Sequence, residues 1–459
     1  MGAEWATWPL RERLAVIRRA RIAIVRAAAA LAATIARPDA DTIAAEIIPL
    51  AAAARFLERK APRLLRPMRL GPAPLWLFGT QQEIRREPKG AVLILAPANY
   101  PLFLPGVHAL QALAAGNAVC LKPAPGKSAP MQLFADLLAE AGLPQGALQI
   151  LPEQWGPEAT RNGYDHIVLT GSAPTGAAVA RAAAETLTPT TMELSGVDAV
   201  FVLPGADLAL VAASLAYGLR LNAGATCIAP RRVFVPKELE ADLLSRLLAQ
   251  LPPPTIVPEP TAGRLATLLA DAESQGARIA ARNPAVVANA APTMPLVQED
   301  IFAPWLALIP VTDTDAALKA SYLCPYALGA SIFGPLPAAR RLAPHIRAGS
   351  VCINDLIVPT ADPRLPFGGR GASGHGLTRG AEGLLEMTVV KTLSTRRLNV
   401  RPHLDARLAA DPAKLLTLLR LLYGDWPTRR ETLAAHLPKS TPARLDAIRA
   451  QLRRLRPPR

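Results

Sequence analysis

The stretch GAVLILAPANYPLFLPGVHALQALAAGNAVCLK, residues 90–122, has a single charged side chain, the Lys122 at its end. A membrane-spanning helix would need about 20 apolar residues in a row. Here Pro97, Pro101 and Pro105 interrupt the run, and Asn99, His108, Gln111 and Asn117 are scattered through it. The stretch reads instead as a buried strand at 91–95, a loop, a helix at 105–115 stopped by Gly116-Asn117, and a second strand at 118–121. An unbroken apolar strand with no polar face belongs inside a parallel sheet covered on both sides.

Working outward, the unit repeats. A helix follows at 131–141, and a third apolar strand at 166–169 enters Thr170-Gly171-Ser172-Ala173-Pro174-Thr175-Gly176 before a helix at 177–186. Ser172 can cap that helix and Pro174 can sit in its first turn, which aims backbone N–H groups at an anion such as a phosphate. Many tight turns look similar, and the stretch does not match GxGxxG. Strands at 199–203 and 232–235 open a second α/β region that runs to residue 390. Upstream, residues 10–60 space their apolar side chains as helices do, with a break at Pro38-Asp39. Residues 62–74 form a proline-rich connector, and 75–79 and 83–87 read as short strands around a turn. Alternating strands and helices make the fold class α/β, with a doubly wound parallel sheet.

Between the strands at 199–203 and 232–235 lies Leu221-Asn222-Ala223-Gly224-Ala225-Thr226-Cys227-Ile228-Ala229-Pro230. Small residues surround one cysteine, and Gly224 and Ala225 let backbone come close to whatever meets the thiol. An activated thiolate is a strong nucleophile. The commoner fate of a free cysteine is a core position, so the partners of Cys227 elsewhere in the chain decide its reading.

The 459 residues are 51% hydrophobic and 19% charged, a globular balance with room for two or three domains. Cys120, Cys227, Cys324 and Cys352 are far apart without a CxxC, and no HExxH occurs. No metal site is expected, and a reduced, cytoplasmic setting fits. Residues 1–9 lack the basic and apolar runs of a signal peptide. The net charge is +15, and residues 401–459 carry thirteen Lys and Arg against five Asp and Glu. No aromatic platform accompanies this basic tail, which argues against nucleic acid.

Several stretches, in one order, resemble the NAD(P)-dependent aldehyde dehydrogenases. They are Pro97-Ala98-Asn99-Tyr100-Pro101, Ala114-Ala115-Gly116-Asn117-Ala118-Val119 with Lys122-Pro123, Thr170-Gly171-Ser172, Met192-Glu193-Leu194, the Cys227 loop, Gln298-Glu299-Asp300-Ile301-Phe302 and Pro366-Phe367-Gly368-Gly369. The match covers residues 87–393, and its short N-terminal arm looks closest to the compact branch acting on fatty and aromatic aldehydes. The resemblance implies a Rossmann-type cofactor domain, an α/β catalytic domain and a small oligomerisation arm. On that pattern residues 1–62 are the helical part of the cofactor domain, 63–89 a connector with oligomerisation strands, 90–198 the NAD(P)-binding domain, 199–390 the catalytic domain, and 391–459 an oligomerisation strand with the tail.

The resemblance also implies the chemistry. Cys227 attacks the aldehyde carbon, the Asn99 amide and the Cys227 N–H hold the oxyanion, and Glu193 activates the water that hydrolyses the thioester. Losing one oxyanion donor costs about 3 kcal/mol of barrier. Pro97, Lys122, Gly171, Ser172, Gly176, Glu299 and Phe302 match cofactor-binding positions, Lys122 for the adenosine ribose and Glu299 for the nicotinamide ribose. The cofactor is NAD or NADP, the substrate a small-molecule aldehyde and the assembly a homodimer. A coenzyme-A-acylating relative is the first alternative, against which Glu193 speaks; a non-catalytic scaffold that kept the fold is the second.

The sequence departs from the family pattern in places. Ser195 and Val197 replace a Gly and a Lys after Glu193-Leu194, Ala225 replaces a frequent Gln, Pro125 a frequent acid, and Ala303 a Gly. Beyond residue 401 the match ends. Residues 415–422 are leucine-dense, and Leu445, Ile448, Leu452 and Leu455 form an apolar stripe flanked by arginines. Docking on the enzyme's own body or a sister subunit is the expected use, with peripheral contact to an anionic membrane as the alternative.

Overall fold

Apolar side chains at consecutive positions leave a strand no face for water, and the strands of this chain stack accordingly. The computed structural model describes residues 3–404 and 411–436. Among them a six-stranded sheet runs in the order Gly374–His375, Thr190–Leu194, His166–Gly171, Ala91–Leu95, Ala118–Lys122, Leu148–Ile150. The strands are parallel except for the antiparallel edge Gly374–His375. The chain starts in the middle at Ala91–Leu95, works out to Leu148–Ile150, then returns to build the other side from His166–Gly171. That reversal opens a crevice beyond the carboxyl ends of Ala91–Leu95 and His166–Gly171, the place where doubly wound sheets bind ligands.

A seven-stranded sheet has the order Arg278–Arg282, Ala285–Ala288, Trp305–Val311, Pro230–Pro236, Asp198–Val202, Gly329–Phe333, Ser350–Ile353, parallel except for its first pair. Both sheets lie in one compact unit, made of the residues up to Met68 with Ile84–Thr392. Arg69–Glu83 and the described residues from Leu393 onward form a second unit.

The helix Phe103–Ala115 shows why residues 90–122 are nearly free of charge: every residue in it is buried. It has no side-chain cap of its own. The Glu46 carboxylate instead accepts the Leu102 and Phe103 N–H groups at 2.8 and 3.0 Å, filling the positive end of the helix. Glu46 reaches that point from a π-helical turn, Ile43–Ile47, and Arg37 lies 3.2 Å from it. Burial raises the Glu46 carboxyl, while Arg37 and the two N–H groups pull it back toward the charged form. At the other end Gly116 takes φ +99, and the Asn117 amide ties the turn to Gly90, Ala112 and Met387.

Three helices start earlier than the sequence predicts, at Phe103, Ser128 and Ala173. In each, a proline (Pro105, Pro130, Pro174) sits inside the first turn, where a missing N–H costs nothing, as the sequence itself indicates for Pro174. Ser172 caps Ala173–Glu185 as expected, accepting the Thr175 N–H at 3.3 Å. Residues 75–79 are not a strand: Pro74 pre-sets a turn and Leu75–Leu77 is a short 3-10 helix. The helix Ile48–Leu64 runs through Pro62, so the connector begins later than 62.

The leucine-dense segment is the helix Pro412–Tyr423, with Leu415, Leu416, Leu418 and Leu419 each 41–54% exposed among the described residues. The stripe from Leu445 to Leu455 lies outside the described residues. Among the described residues no helix is long and apolar enough to cross a membrane.

Gly374 pairs with Glu193 at the sheet edge with φ +100, and a Cβ there would lie 2.0 Å from the Met192 carbonyl oxygen. Gly374→Ala is expected to lower stability by about 3 kcal/mol through strain and lost pairing. Thermal unfolding checks this; an unchanged midpoint contradicts the pairing.

Candidate active site

The cysteine loop depends on a backbone conformation that side chains resist. Asn222, Ala223 and Gly224 have successive φ values of 50, 51 and 71. A Cβ on Gly224 would sit 2.5 Å from the Ala303 oxygen and 2.6 Å from Pro304 Cα, so the position needs glycine. Arg231 holds the turn. Its guanidinium donates to the carbonyls of Gly224, Ala303 (2.6 Å) and Trp305 (2.9 Å) and lies over the Trp305 ring at 5.2 Å. The side chain is fully buried, and this cation fixes the loop against the segment that carries Asp300, Ile301 and Phe302. Nothing in the spacing of the sequence marked Arg231.

Asn99 stands beside this loop, just past the strand Ala91–Leu95. Its Nδ2 donates to the Ala225 carbonyl at 3.0 Å, and its Oδ1 accepts the Tyr100 N–H at 3.0 Å. An amide nitrogen has two hydrogens, so one remains for an oxyanion at Cys227. The Asn99 carbonyl is gripped by Arg37 Nη2 at 2.6 Å and Asn222 Nδ2 at 3.0 Å. Arg37 therefore serves two loads, the Glu46 helix cap and the Asn99 loop. Below the cysteine, Thr226 Oγ1 shares a 2.7 Å hydrogen bond with the Tyr100 hydroxyl.

Glu193 closes the strand Thr190–Leu194 and is 2% exposed. Thr378 Oγ1 donates to its Oε2 at 2.7 Å, and Oε1 has no protein partner. Burial raises its carboxyl above the usual range, opposed by the Arg379 charge and the Thr378 hydroxyl. Burial also pushes the Cys227 thiol well above its ordinary value, and the charges of Glu193 and Asp198 push it further. The Arg379 charge opposes that rise.

Two cavities meet at these side chains. One, of about 720 Å³, is lined by Pro97, Asn99, Lys127, Gly171, Ser172 and Phe302 among others. The other, of about 250 Å³, is walled by Tyr100, Phe103, Leu104, Tyr217, Ile228 and Phe367. Glu193 and Cys227 line both. The larger cavity sits at the crevice where the strand order reverses.

The remaining residues singled out in the sequence fall outside this lining. Gly176 lies within the helix Ala173–Glu185, and a Cβ there would be 2.5 Å from Leu194 Cδ1. Its glycine serves close packing of helix on strand. Lys122 ends its strand half-buried, and burial lowers its ammonium. Glu299 forms a bidentate ion pair with Arg264, with Nε at 3.0 Å from Oε2, and it is Arg264 that lines the cavity. Two departures from the family pattern are explained by packing. Val197 is a core residue, 1% exposed, and Ser195 bonds Asp300 through its side chain.

A sequence model of the aldehyde dehydrogenase family matches residues 2–393. The chain is 32% identical over 409 residues to a 4,4'-diapolycopene aldehyde oxidase from Methylomonas sp, covering 84% of this chain and 77% of the relative. It is 31% identical to a probable coniferyl aldehyde dehydrogenase from Pseudomonas aeruginosa, covering 84% and 85%. The crystal structure of a Mycobacterium tuberculosis aldehyde dehydrogenase complexed with NAD+ superposes with a TM-score of 0.79 at 27% identity, covering 86% of this chain and 88% of the other. The chain belongs to the aldehyde dehydrogenase family, and its α/β architecture is the fold of that family.

Arg231→Met leaves buried carbonyls of Gly224, Ala303 and Trp305 without their donor. A loss of about 3–5 kcal/mol is expected, as for other broken buried charge networks. Urea unfolding checks it; a loss below about 1 kcal/mol contradicts the clamp.

Proposed function

We propose that this chain oxidises an apolar aldehyde irreversibly to its carboxylic acid, with Cys227 as nucleophile, Glu193 as general base and Asn99 as oxyanion donor. One observation carries the reading. Cys227 and Glu193 are the reactive groups that line the dinucleotide-sized cavity and the smaller apolar one alike. A substrate entering one side and a cofactor entering the other meet at the thiol.

The larger cavity suits a dinucleotide. It opens at the carboxyl edge of the parallel sheet, beside Gly171 and the Ser172-capped helix N-terminus. Pro97, Gly171, Ser172 and Phe302 would hold NAD or NADP there, with Lys122, Gly176 and Glu299 acting from outside the lining. When bound, the dinucleotide supplies a hydride acceptor.

The chain's own residues do the rest. The Cys227 thiol gives up its proton to solvent water in the open larger cavity as sulfur bonds to the carbonyl carbon, and the carbonyl π pair becomes the negative charge on oxygen. The free Asn99 amide hydrogen and the Cys227 N–H stabilise that oxygen. Departure of the hydride leaves a thioester on Cys227. Glu193, through Oε1, takes a proton from water as the water oxygen bonds to the thioester carbon; the carbon–sulfur bond then breaks, the acid leaves, and the departing thiolate takes the proton back from Glu193. A carboxylate held in this place favours hydrolysis over transfer to coenzyme A. Tyr100, Phe103, Leu104 and Phe367 make the smaller cavity suitable for an aromatic or aliphatic aldehyde. A homodimer in the cytoplasm completes the reading, carried by the family resemblance and by cysteines without disulfide partners.

Cys227→Ala is expected to abolish turnover while leaving cofactor affinity within about twofold, since a half-buried thiol is replaced by a smaller apolar side chain. Steady-state kinetics and fluorescence titration check this; appreciable turnover in the variant contradicts it. Cofactor choice turns on Lys127, a cation in the cavity lining next to Pro125, where an acid would repel a 2′-phosphate. NADP is expected to be accepted. Lys127→Ala should lower kcat/KM severalfold for NADP and little for NAD; equal losses for both contradict the assignment.

A further inference from the structure

We infer that Arg379 is the counter-charge of this active site, a positioning residue that acts on Cys227 and Glu193 from the wall of the smaller cavity. The inference rests on the roles proposed above for those two residues.

The geometry is specific. Arg379 is 5% exposed and lines the smaller cavity together with Cys227 and Glu193. Its guanidinium lies over the Phe367 ring at 4.0 Å and near the Phe103 ring at 5.6 Å. Its Nη1 donates to the Thr360 carbonyl at 2.8 Å, and its Nε has no protein partner. Among the described residues no carboxylate forms an ion pair with it, so its charge is not spent on one bonded partner. The backbone accepts strain to place it, with φ +60 at a residue that is not glycine. Two contacts fix that backbone. Thr378 exchanges hydrogen bonds with Phe367, both at 2.7 Å, and the Gly383 N–H reaches the Arg379 carbonyl at 2.8 Å. The neighbouring Thr378 hydroxyl is the donor to Glu193. One dipeptide thus supplies both the hydrogen bond and the positive charge that a buried carboxylate requires.

The charges around the thiol show what Arg379 opposes. Glu193, Asp198 and Asp300 all disfavour the thiolate, and Arg379 is the cation that favours it. Arg379 likewise favours ionised Glu193. Asp41, Tyr100, Tyr217 and Arg220 line the same cavity, and His108, buried behind it, has a pKa lowered to about 3 by burial and by the Arg379 charge. Without Arg379 the buried Glu193 would face no cation, and ionisation of both the carboxyl and the thiol would be harder. Arg379 touches neither the carbonyl carbon nor the attacking water. It sets the protonation state of the groups that do.

The test reads the thiol itself. Iodoacetamide labelling of Cys227 is followed by peptide mass spectrometry between pH 6 and 10 in the wild-type enzyme, Arg379→Met, Arg379→Lys and Phe367→Leu. In Arg379→Met the labelling curve is expected to move to higher pH by about one unit, so that labelling at a fixed pH below the midpoint slows about tenfold. Arg379→Lys should recover most of that loss because it keeps the charge. Phe367→Leu, which removes the ring under the guanidinium, should move the curve in the same direction by less. If Arg379→Met does not fold, the displacement in Phe367→Leu decides. Curves that coincide with the wild type in the folded variants overturn the inference while leaving Cys227 as nucleophile. Wild-type labelling that falls on other cysteines overturns both.

Discussion

Burial of Glu193 beside Cys227 is the constraint on which the rest of the site depends. A thiol and a carboxyl in a place of low polarity both hold their protons, and each makes ionisation of the other harder. The surrounding structure works against that tendency at several points. Thr378 donates to Glu193, Arg379 adds a positive charge, and the loop that carries the cysteine is tied by Arg231 to the carbonyls of Gly224, Ala303 and Trp305. Removing the site from water is also what makes its hydrogen bonds strong once charge develops on a substrate oxygen.

The supports come from distant parts of the chain. Arg37 and Glu46 belong to the N-terminal helices, yet they hold the loop of Asn99 and the start of Phe103–Ala115. Asp198, at the start of a strand of the other sheet, accepts the Gly329 N–H at 3.1 Å, and its burial lifts its pKa to about 7. It is a second buried acid acting on Cys227. The two sheets thus contribute one side chain each to both cavities, Glu193 from the first and Cys227 from the segment between strands of the second.

Much of this was legible in the sequence because the relevant signals are local. Apolar runs marked the strands, Gly116-Asn117 marked a helix end, and Ser172 marked a cap that the structure contains. The ordered motifs named Cys227, Glu193 and Asn99, and the fold brings those three to one place. What could not be read was non-local. Glu46 caps a helix 57 residues away in the chain, and no spacing rule reports that. Arg231 and Arg379 look like ordinary surface charges until burial is known. Helix starts at Phe103 and Ser128 lie ahead of Pro105 and Pro130, each inside a first turn, whereas Pro174 was legible in its first turn behind the Ser172 cap. Glu299 matched a motif, but the structure pairs it with Arg264, a residue that no motif joined to it.

The central claim is that acylation and deacylation are separate duties of Cys227 and Glu193 at the junction of two cavities. The most direct measurement is stopped-flow absorbance of NAD(P)H in Glu193→Gln, mixed with an aromatic aldehyde and excess cofactor. The account predicts a burst close to one equivalent per active site, then a steady rate at least about a hundredfold below the wild type, as expected when a general base is removed. Loss of the burst together with the steady rate would contradict it, because Glu193 would then be required before the thioester forms.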